Sequence, residues 1–357
     1  MKLSVLGVGL IGGSIGLAAK HRAAAHVAGF DTDAAALARA LEVGAIDEAA
    51  SDISSACVDA DVVICAGPVD SLEGLVAAAL DASGAECAVS DVGSVKRHLA
   101  DAFAGEGRFV GGHPLAGLES VGVEGAREDL FDGARWFLTP EGETEGVLFD
   151  RLQRLLLEIG ARPQAVEPGE HDRLMATVSH LPHLLANVLV DRAAASSQGE
   201  AVPEVGPSFR DAARVAGENP ALWADIYLRN AEAIAQEAEA AADQLKAMAE
   251  VIRQGDRGAL EGWQEDSADK RRSLLEGDLE KGPLVEVRVL VRNSPGVMAE
   301  IALALGKAGV NIEDMALYPV SDMSSGAISL FVSGDEDADR VLACAAELGH
   351  EAIKVSR

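Results

Sequence analysis

The chain has 357 residues, enough for two or three folded units, and its 48% apolar and 25% charged content excludes collagen-like, coiled-coil and disordered readings. With 58 acidic against 30 basic side chains, the net charge of −28 repels nucleic acid and anionic lipid, so neither is expected as a partner. Cys57, Cys65, Cys87 and Cys344 form no metal-knuckle or disulfide spacing, the N-terminus lacks a secretory signal pattern, and no apolar run approaches the roughly 18–20 residues that span a bilayer. A soluble, cytoplasmic protein is the expectation.

In chain order, short β-branched runs alternate with alanine-rich helical stretches. The expected strands are Lys2–Leu6, His26–Phe30, Val62–Cys65, Ala88–Ser90 and Phe109–Gly111, an alternation that implies a parallel sheet covered by helices on both faces. From about Glu170 to Leu279 the strand signal disappears. Leu174, Val178, Leu181, Leu185 and Val188 recur at helical spacing, and Leu222 to Ile252 repeats the pattern over a longer stretch. Long helices of this kind often bury an apolar face in a dimer, so a homodimer through this segment is expected. The charged run Asp266–Lys281 reads as a solvated helix end and linker. Residues 285–357 then follow a βαββαβ order, with helices opening at Ser294-Pro295-Gly296 and spanning Glu336–Leu348. The expected division is 1–167, 168–282 and 283–357.

Gly7-Val8-Gly9-Leu10-Ile11-Gly12 follows the first strand and opens the first helix, as a dinucleotide-binding turn requires. Its glycines permit a tight turn, close approach of backbone to a pyrophosphate and close packing of helix on strand. Asp31 ends the second strand nineteen residues after Gly12, where a carboxylate accepts hydrogen bonds from adenosine ribose hydroxyls. No arginine follows directly in Asp31-Thr32-Asp33, and a carboxylate there repels a 2′-phosphate, which favours NAD over NADP. The bland alternative is a glycine turn in a nucleotide-free α/β domain.

Two further motifs, Asp91-Val92-Gly93-Ser94-Val95-Lys96 and Gly111-Gly112-His113-Pro114-Leu115-Ala116-Gly117, stand at expected C-terminal strand ends, where open α/β sheets hold ligands. Removing hydride from a carbinol carbon requires the hydroxyl proton to leave too, and a neutral histidine suits that at pH 7, so His113 is the candidate base. Ser94 reads equally as a hydrogen-bond partner of that chemistry or as an ordinary helix N-cap. Within Val178-Ser179-His180-Leu181-Pro182-His183 a proline interrupts a helix and frees a carbonyl near Val178. His180 and His183 share a helical face, but no third metal ligand is evident, and no metal is expected. A core or capping role for His171 and His180 is as good a reading as a functional one. Farther on, Phe209-Arg210-Asp211-Ala212-Ala213-Arg214 opens a helix after Gly206-Pro207. An anionic substrate on so acidic a protein needs a local cation, and Arg214 is the candidate; Arg210 also reads as an intrahelical pair.

Together these motifs, in this order over residues 1–280, resemble prephenate dehydrogenases. The tail, with Arg292-Asn293-Ser294-Pro295-Gly296 and Gly309-Val310-Asn311-Ile312, resembles an ACT domain. The resemblance implies a Rossmann-type α/β nucleotide-binding domain, an all-α domain and a C-terminal βαββαβ ACT-like domain. It implies NAD-dependent oxidative decarboxylation of prephenate to 4-hydroxyphenylpyruvate in tyrosine biosynthesis. By the family's pattern His113 takes or polarises the 4-hydroxyl proton and Ser94 orients it. His183 and Arg214 hold the substrate, Ser179 and His180 shape the pocket wall, and Gly7, Gly9, Leu10, Ile11, Gly12 and Asp31 hold the cofactor. Asn293, Gly296, Asn311 and Ile312 lie where ACT domains commonly hold an amino acid between two chains, which makes tyrosine the candidate effector; the alternative is a module that only stabilises the oligomer. Arogenate, the transaminated substrate, is not separated from prephenate by these motifs. A β-hydroxyacid dehydrogenase would carry a catalytic lysine where Leu174–Val190 has histidines, and a non-catalytic sensor would have lost Ser94, His113, His183 or Arg214.

Overall fold

A computed structural model describes residues 1–117, 122–196, 205–276, 284–292, 294, 296–319 and 325–355. They form two compact units, Met1–Gln244 and Leu245–Arg357.

The first unit is built on strands β1 (Lys2–Leu6), β2 (His26–Phe30), β3 (Glu48–Ala49), β4 (Val62–Cys65), β5 (Ala88–Asp91), β6 (Phe109–Pro114), β7 (Arg135–Thr139) and β8 (Arg162–Ala165), in spatial order 3-2-1-4-5-6-7-8. Pairing is parallel except between β6 and β7, where Gly111–Pro114 runs antiparallel to Trp136–Thr139. The expected all-parallel sheet is thus extended by β3, β7 and β8. β3 is too short to show a period. β8 carries Pro163 and sits at the sheet edge, where a missing N–H costs no ladder bond. Alternate residues of β1 feed opposite faces. Leu3 and Val5 pack with Ile15 of helix Leu10–Arg22 and Leu152 of helix Gly146–Glu158, while Leu6 packs with Val63, Val89 and Val76 of helix Leu72–Ala82. Strand order reverses at β1 and β4, and the C-terminal ends there open the crevice where such sheets bind ligands.

From Pro168 to Glu276 the described residues contain helices and no strand. Helix Pro168–Met175 passes through a π-helical turn, Ala176–His180, into helix Leu181–Ser196. Pro182 has no N–H to give Val178, and the turn widens so that Leu181 N–H reaches the Ala176 carbonyl. The buried side of this segment holds His171, Met175, Ala176, His180, His183 and Ala186, whereas Leu174, Val178, Leu185 and Val188 face outward. The apolar periodicity therefore marks the open side of the helix, and its polar exceptions mark the inward side. The long pattern from Leu222 breaks at buried Asn230 into helices Pro220–Arg229 and Ala231–Gln254. Among the described residues no helix is long and apolar enough to cross a membrane.

The second unit pairs β9 (Leu284–Arg292), β10 (Asp314–Pro319), β11 (Ser325–Ser333) and β12 (Glu351–Lys354) antiparallel in the order 10-11-9-12. Helices Val297–Lys307 and Gly334–Glu347 pack Ile301, Leu305 and Val341 onto Val287, Val289, Ile328 and Leu330. Helix Arg257–Glu276 joins this unit, since Arg271 donates to Asp314 at 3.0 Å and lies over the Phe331 ring.

One buried ion pair fastens the ends of β5 and β6. Lys96 Nζ donates to the Asp91 carboxylate and, at 2.8 Å, to the Gly112 carbonyl, while Asp91 accepts from Gly93 N at 2.8 Å and Gly112 N at 3.0 Å. Neither side chain is exposed to solvent. Removing one partner strands the other in the interior, so Lys96→Met is expected to cost about 3–5 kcal/mol in urea unfolding, and the double variant Asp91→Leu/Lys96→Met to recover part of that loss. Equal stability of wild type and Lys96→Met would contradict this account.

Candidate active site

The glycine turn lies at the start of helix Leu10–Arg22, whose first turn carries no acidic residue and whose Gly9 N-cap offers no side-chain cap. Gly7 has φ +100°, and a Cβ there would stand 2.6 Å from the Ala66 carbonyl oxygen; a Cβ on Gly12 would stand 1.9 Å from the Gly7 carbonyl oxygen. A Cβ on Gly9, by contrast, would meet no atom within 4 Å. Two glycines are thus demanded by packing, and the third faces open space beside uncapped N–H groups of Leu10 and Ile11, which suits a pyrophosphate. Asp31 accepts from Val8 N–H and Asp33 N–H, each at 2.9 Å. One carboxylate therefore shapes the turn and stands at the end of β2, with lone pairs left for ribose hydroxyls. This cradle fits NAD.

His113, the penultimate residue of β6, shares a hydrogen bond with the buried ring of His171, Nδ1 to Nε2, at 2.8 Å. His171 Nδ1 in turn lies 2.8 Å from Asp172 Oδ1. The Asp172 carboxylate also accepts from Lys96 N at 2.8 Å and Arg97 N at 2.9 Å, the first N–H groups of helix Arg97–Ala102. Burial, with smaller contributions from His171, Lys96 and His180, pushes the His113 imidazolium pKa well below that of an ordinary histidine. His113 is therefore the neutral ring at pH 7 that a proton acceptor must be.

Ser94 is half-buried in the turn after β5. Its N-cap reading is corrected: Lys96 occupies that position, and the carboxylate serving the helix start is Asp172. Next to Ser94, Val95 packs with Trp223 and Ile226 of helix Pro220–Arg229. Trp223 stacks on the His183 ring with centroids 3.5 Å apart and planes 1° from parallel. His183 Nδ1 lies 2.6 Å from the Tyr227 hydroxyl and 3.3 Å from Asn187 Nδ2, which also donates to the His183 carbonyl at 2.9 Å. With Asn187 Nδ2 as donor, His183 Nδ1 reads as the acceptor and Nε2 as the protonated atom, which is buried and has no hydrogen-bond partner among the described residues. Such a donor suits an anionic ligand. His180 is buried, with its pKa lowered to about 4 chiefly by desolvation, and its Nδ1 lies 3.2 Å from Asn230 Nδ2, which donates to the Asp172 carbonyl at 2.8 Å. Ser179, half-buried, belongs to the π-helical turn.

Arg214 is exposed and begins a 3-10 turn, Arg214–Gly217, that packs against helix Leu181–Ser196, the helix of His183. The structure thus gathers Ser94, His113, His180 and His183 about the ends of β5 and β6 and sets the Arg214 turn against the helix that carries His183. Lys96, Asp172, Trp223, Tyr227 and Asn230 complete the assembly and escaped the sequence reading: Asp172, Trp223, Tyr227 and Asn230 act on partners far along the chain, and no local pattern marks Lys96 as buried. In the second unit Gly296 takes φ +90° before helix Val297–Lys307, and exposed Asn311 donates to Glu313 at 3.0 Å. Ile312 lines an apolar cavity of ≈ 270 Å³ with Met298, Ile301, Met315, Ile328 and Leu330. Asn293 lies outside the described residues.

Comparison with known proteins finds the same order of domains. Residues 15–165 match the nucleotide-binding domain of prephenate dehydrogenase, 167–265 its dimerization domain, and 287–350 an AHAS small subunit-like ACT domain. The chain is 30% identical to a prephenate dehydrogenase of Bacillus subtilis over 96% of both proteins, and 33% identical to a cyclohexadienyl dehydrogenase of Zymomonas mobilis over 65% of this chain and 82% of that one. Among solved structures, prephenate dehydrogenase from Aquifex aeolicus in complex with hydroxyphenyl propionate and NAD+ superposes with a TM-score of 0.73 at 28% identity, covering 77% of this chain and 98% of that one. Arogenate dehydrogenase from Synechocystis superposes with a TM-score of 0.68 at 26% identity, covering 77% and 100%. With a relative at this identity along nearly its whole length and both catalytic-region domains matched, the chain belongs to the prephenate dehydrogenase family.

Proposed function

We propose that this protein is an NAD-dependent prephenate dehydrogenase, converting prephenate to 4-hydroxyphenylpyruvate and carbon dioxide. The observation that carries the reading is the neutral, desolvated His113 in the same assembly of strand ends as a glycine cradle for NAD. Bound NAD supplies the acceptor for the hydride of the ring carbinol. In this reading the Gly7–Gly12 turn and the first N–H groups of the helix hold the pyrophosphate, and Asp31 holds the adenosine ribose and disfavours a 2′-phosphate. His113 takes the proton of the 4-hydroxyl as the carbonyl forms, and Ser94 orients that hydroxyl. When the ring carboxylate leaves and the ring becomes aromatic, His113 returns the proton to the same oxygen, so the reaction consumes and releases no net proton. His183 Nε2–H and the Arg214 guanidinium hold carboxylate groups, and Ser179 and His180 wall the pocket. Hydroxyphenyl propionate, bound by the Aquifex aeolicus relative, has the phenol and side-chain carboxylate that such a product shares.

The working division is nucleotide binding by residues 1–167, substrate binding and homodimer formation by 168–282, and regulation by 283–357. The outward apolar residues Leu174, Val178, Leu185 and Val188 supply a surface for a second copy. Tyrosine is the proposed effector at the ACT-like domain.

NADH formation should be fastest with prephenate and NAD and slower with arogenate or NADP; turnover of neither ring substrate, with NAD still bound, would overturn the reading. His113→Asn should lower kcat about 10²–10⁴-fold with KM nearly unchanged, and Arg214→Ala should chiefly raise KM. Because burial, and after it His171, Lys96 and His180, lowers the pKa of His113, the base stays deprotonated below pH 6.5. The acid limb of kcat/KM should therefore lie below pH 6.5, and a limb at or above that value would contradict the assignment. A tyrosine titration should lower the rate, whereas a flat response would leave the module with an oligomer-stabilising role.

A further inference from the structure

We propose that His171 and Asp172 are positioning residues that set the tautomer of His113, presenting the Nε2 lone pair to the substrate hydroxyl. The argument starts from Asp172, whose carboxylate accepts the backbone N–H groups of Lys96 and Arg97. A carboxylate only accepts hydrogen bonds, so its third contact, at 2.8 Å, requires a proton on His171 Nδ1. A neutral His171 then has a bare Nε2. The 2.8 Å contact from that atom to His113 Nδ1 requires the His113 proton to be on Nδ1, which leaves Nε2 unprotonated. Each assignment follows from the one before, and the chain begins at backbone donors that cannot reverse.

The rings are held as well as protonated by their surroundings. His171 is wholly buried, with Phe137 edge-on at 5.5 Å on one side and His113 edge-on at 5.1 Å on another, so its ring has little room to flip. Without it, His113 would be free to place its proton on either nitrogen, and the Nε2–H form cannot accept a proton from substrate. When the substrate O–H bond breaks and the His113 Nε2–H bond forms, the positive charge on His113 faces His171 Nε2 through the Nδ1 proton. Behind His171 stands the Asp172 carboxylate, so the line of groups passes from a net charge of −1 to 0 during the step. The proton returns to the same oxygen when the ring aromatises, and the line is restored.

This inference rests on His113 as the base, but it is tested separately from that assignment. Enzyme carrying nitrogen-15-labelled histidine, compared with the same preparation of His113→Asn, identifies the ring signals of His113. The expected wild-type spectrum has a pyrrole-type Nδ1 and a pyridine-type Nε2, and the reverse pattern would sink the proposal even if prephenate proves to be the substrate. In kinetics, His171→Gln keeps an acceptor near the Nε2 position and should stay within about tenfold of wild-type kcat, whereas His171→Leu should lose about 100-fold or more with KM within about twofold. Equal losses in the two variants, or a loss confined to KM, would assign His171 a packing role only. If His171→Leu does not fold, the wild-type spectrum decides alone.

Discussion

The carboxylate of Asp172 takes hydrogen bonds from the N–H groups of Lys96 and Arg97 and from the ring of His171, and the assembly of the site depends on this acceptor. The two N–H groups begin helix Arg97–Ala102, which has no side-chain cap of its own. A helix start without a partner leaves buried donors unsatisfied, so the helix and the residue that serves it must come together as the chain folds. That contact helps fasten the helical segment to the end of β5, and it delivers His171 to His113 at the end of β6. The Asp91–Lys96 pair fixes the same two strand ends from within.

The site then sorts its histidines by environment. In the proposed mechanism two of them do opposite work, His113 offering a lone pair and His183, held by Tyr227 and Asn187, offering a proton. Desolvation lowers the pKa of both rings, so at neutral pH each is uncharged and acts through hydrogen bonding. This arrangement suits a reaction in which a proton leaves the substrate and comes back to it. The inward helix side that carries His183 holds histidine, alanine and Met175, beside an outward one of leucine and valine.

Local signals were readable wherever the physics is local. β1, β2 and β4 coincide with their apolar runs, and the βαββαβ tail follows its periodicities, because burial on both faces of a central strand demands continuous apolar residues. β3 has two residues and β8 is an edge strand with a proline, so neither carries such a signal. Ser94 illustrates the limit from the other side. A serine ahead of a helical pattern has the composition of a cap, and here the capping position lies two residues later and is served by Asp172, 75 and 76 residues away along the chain.

The sequence alone determined the classes of chemistry available: a glycine turn with an acid after the second strand, a histidine at a strand end, a proline-broken helix rich in histidine, and an arginine on so acidic a chain. Each of these is a short-range pattern, dictated by backbone geometry or by the chemistry of a single side chain. Tertiary structure alone decided which partners the rings of His113 and His183 meet, and that Lys96 is wholly buried with its ammonium on the Gly112 carbonyl. Those outcomes depend on hydrogen bonds between residues brought together from distant segments. A proton's position on a ring is set by the partner across the contact, and that partner has no fixed distance along the chain.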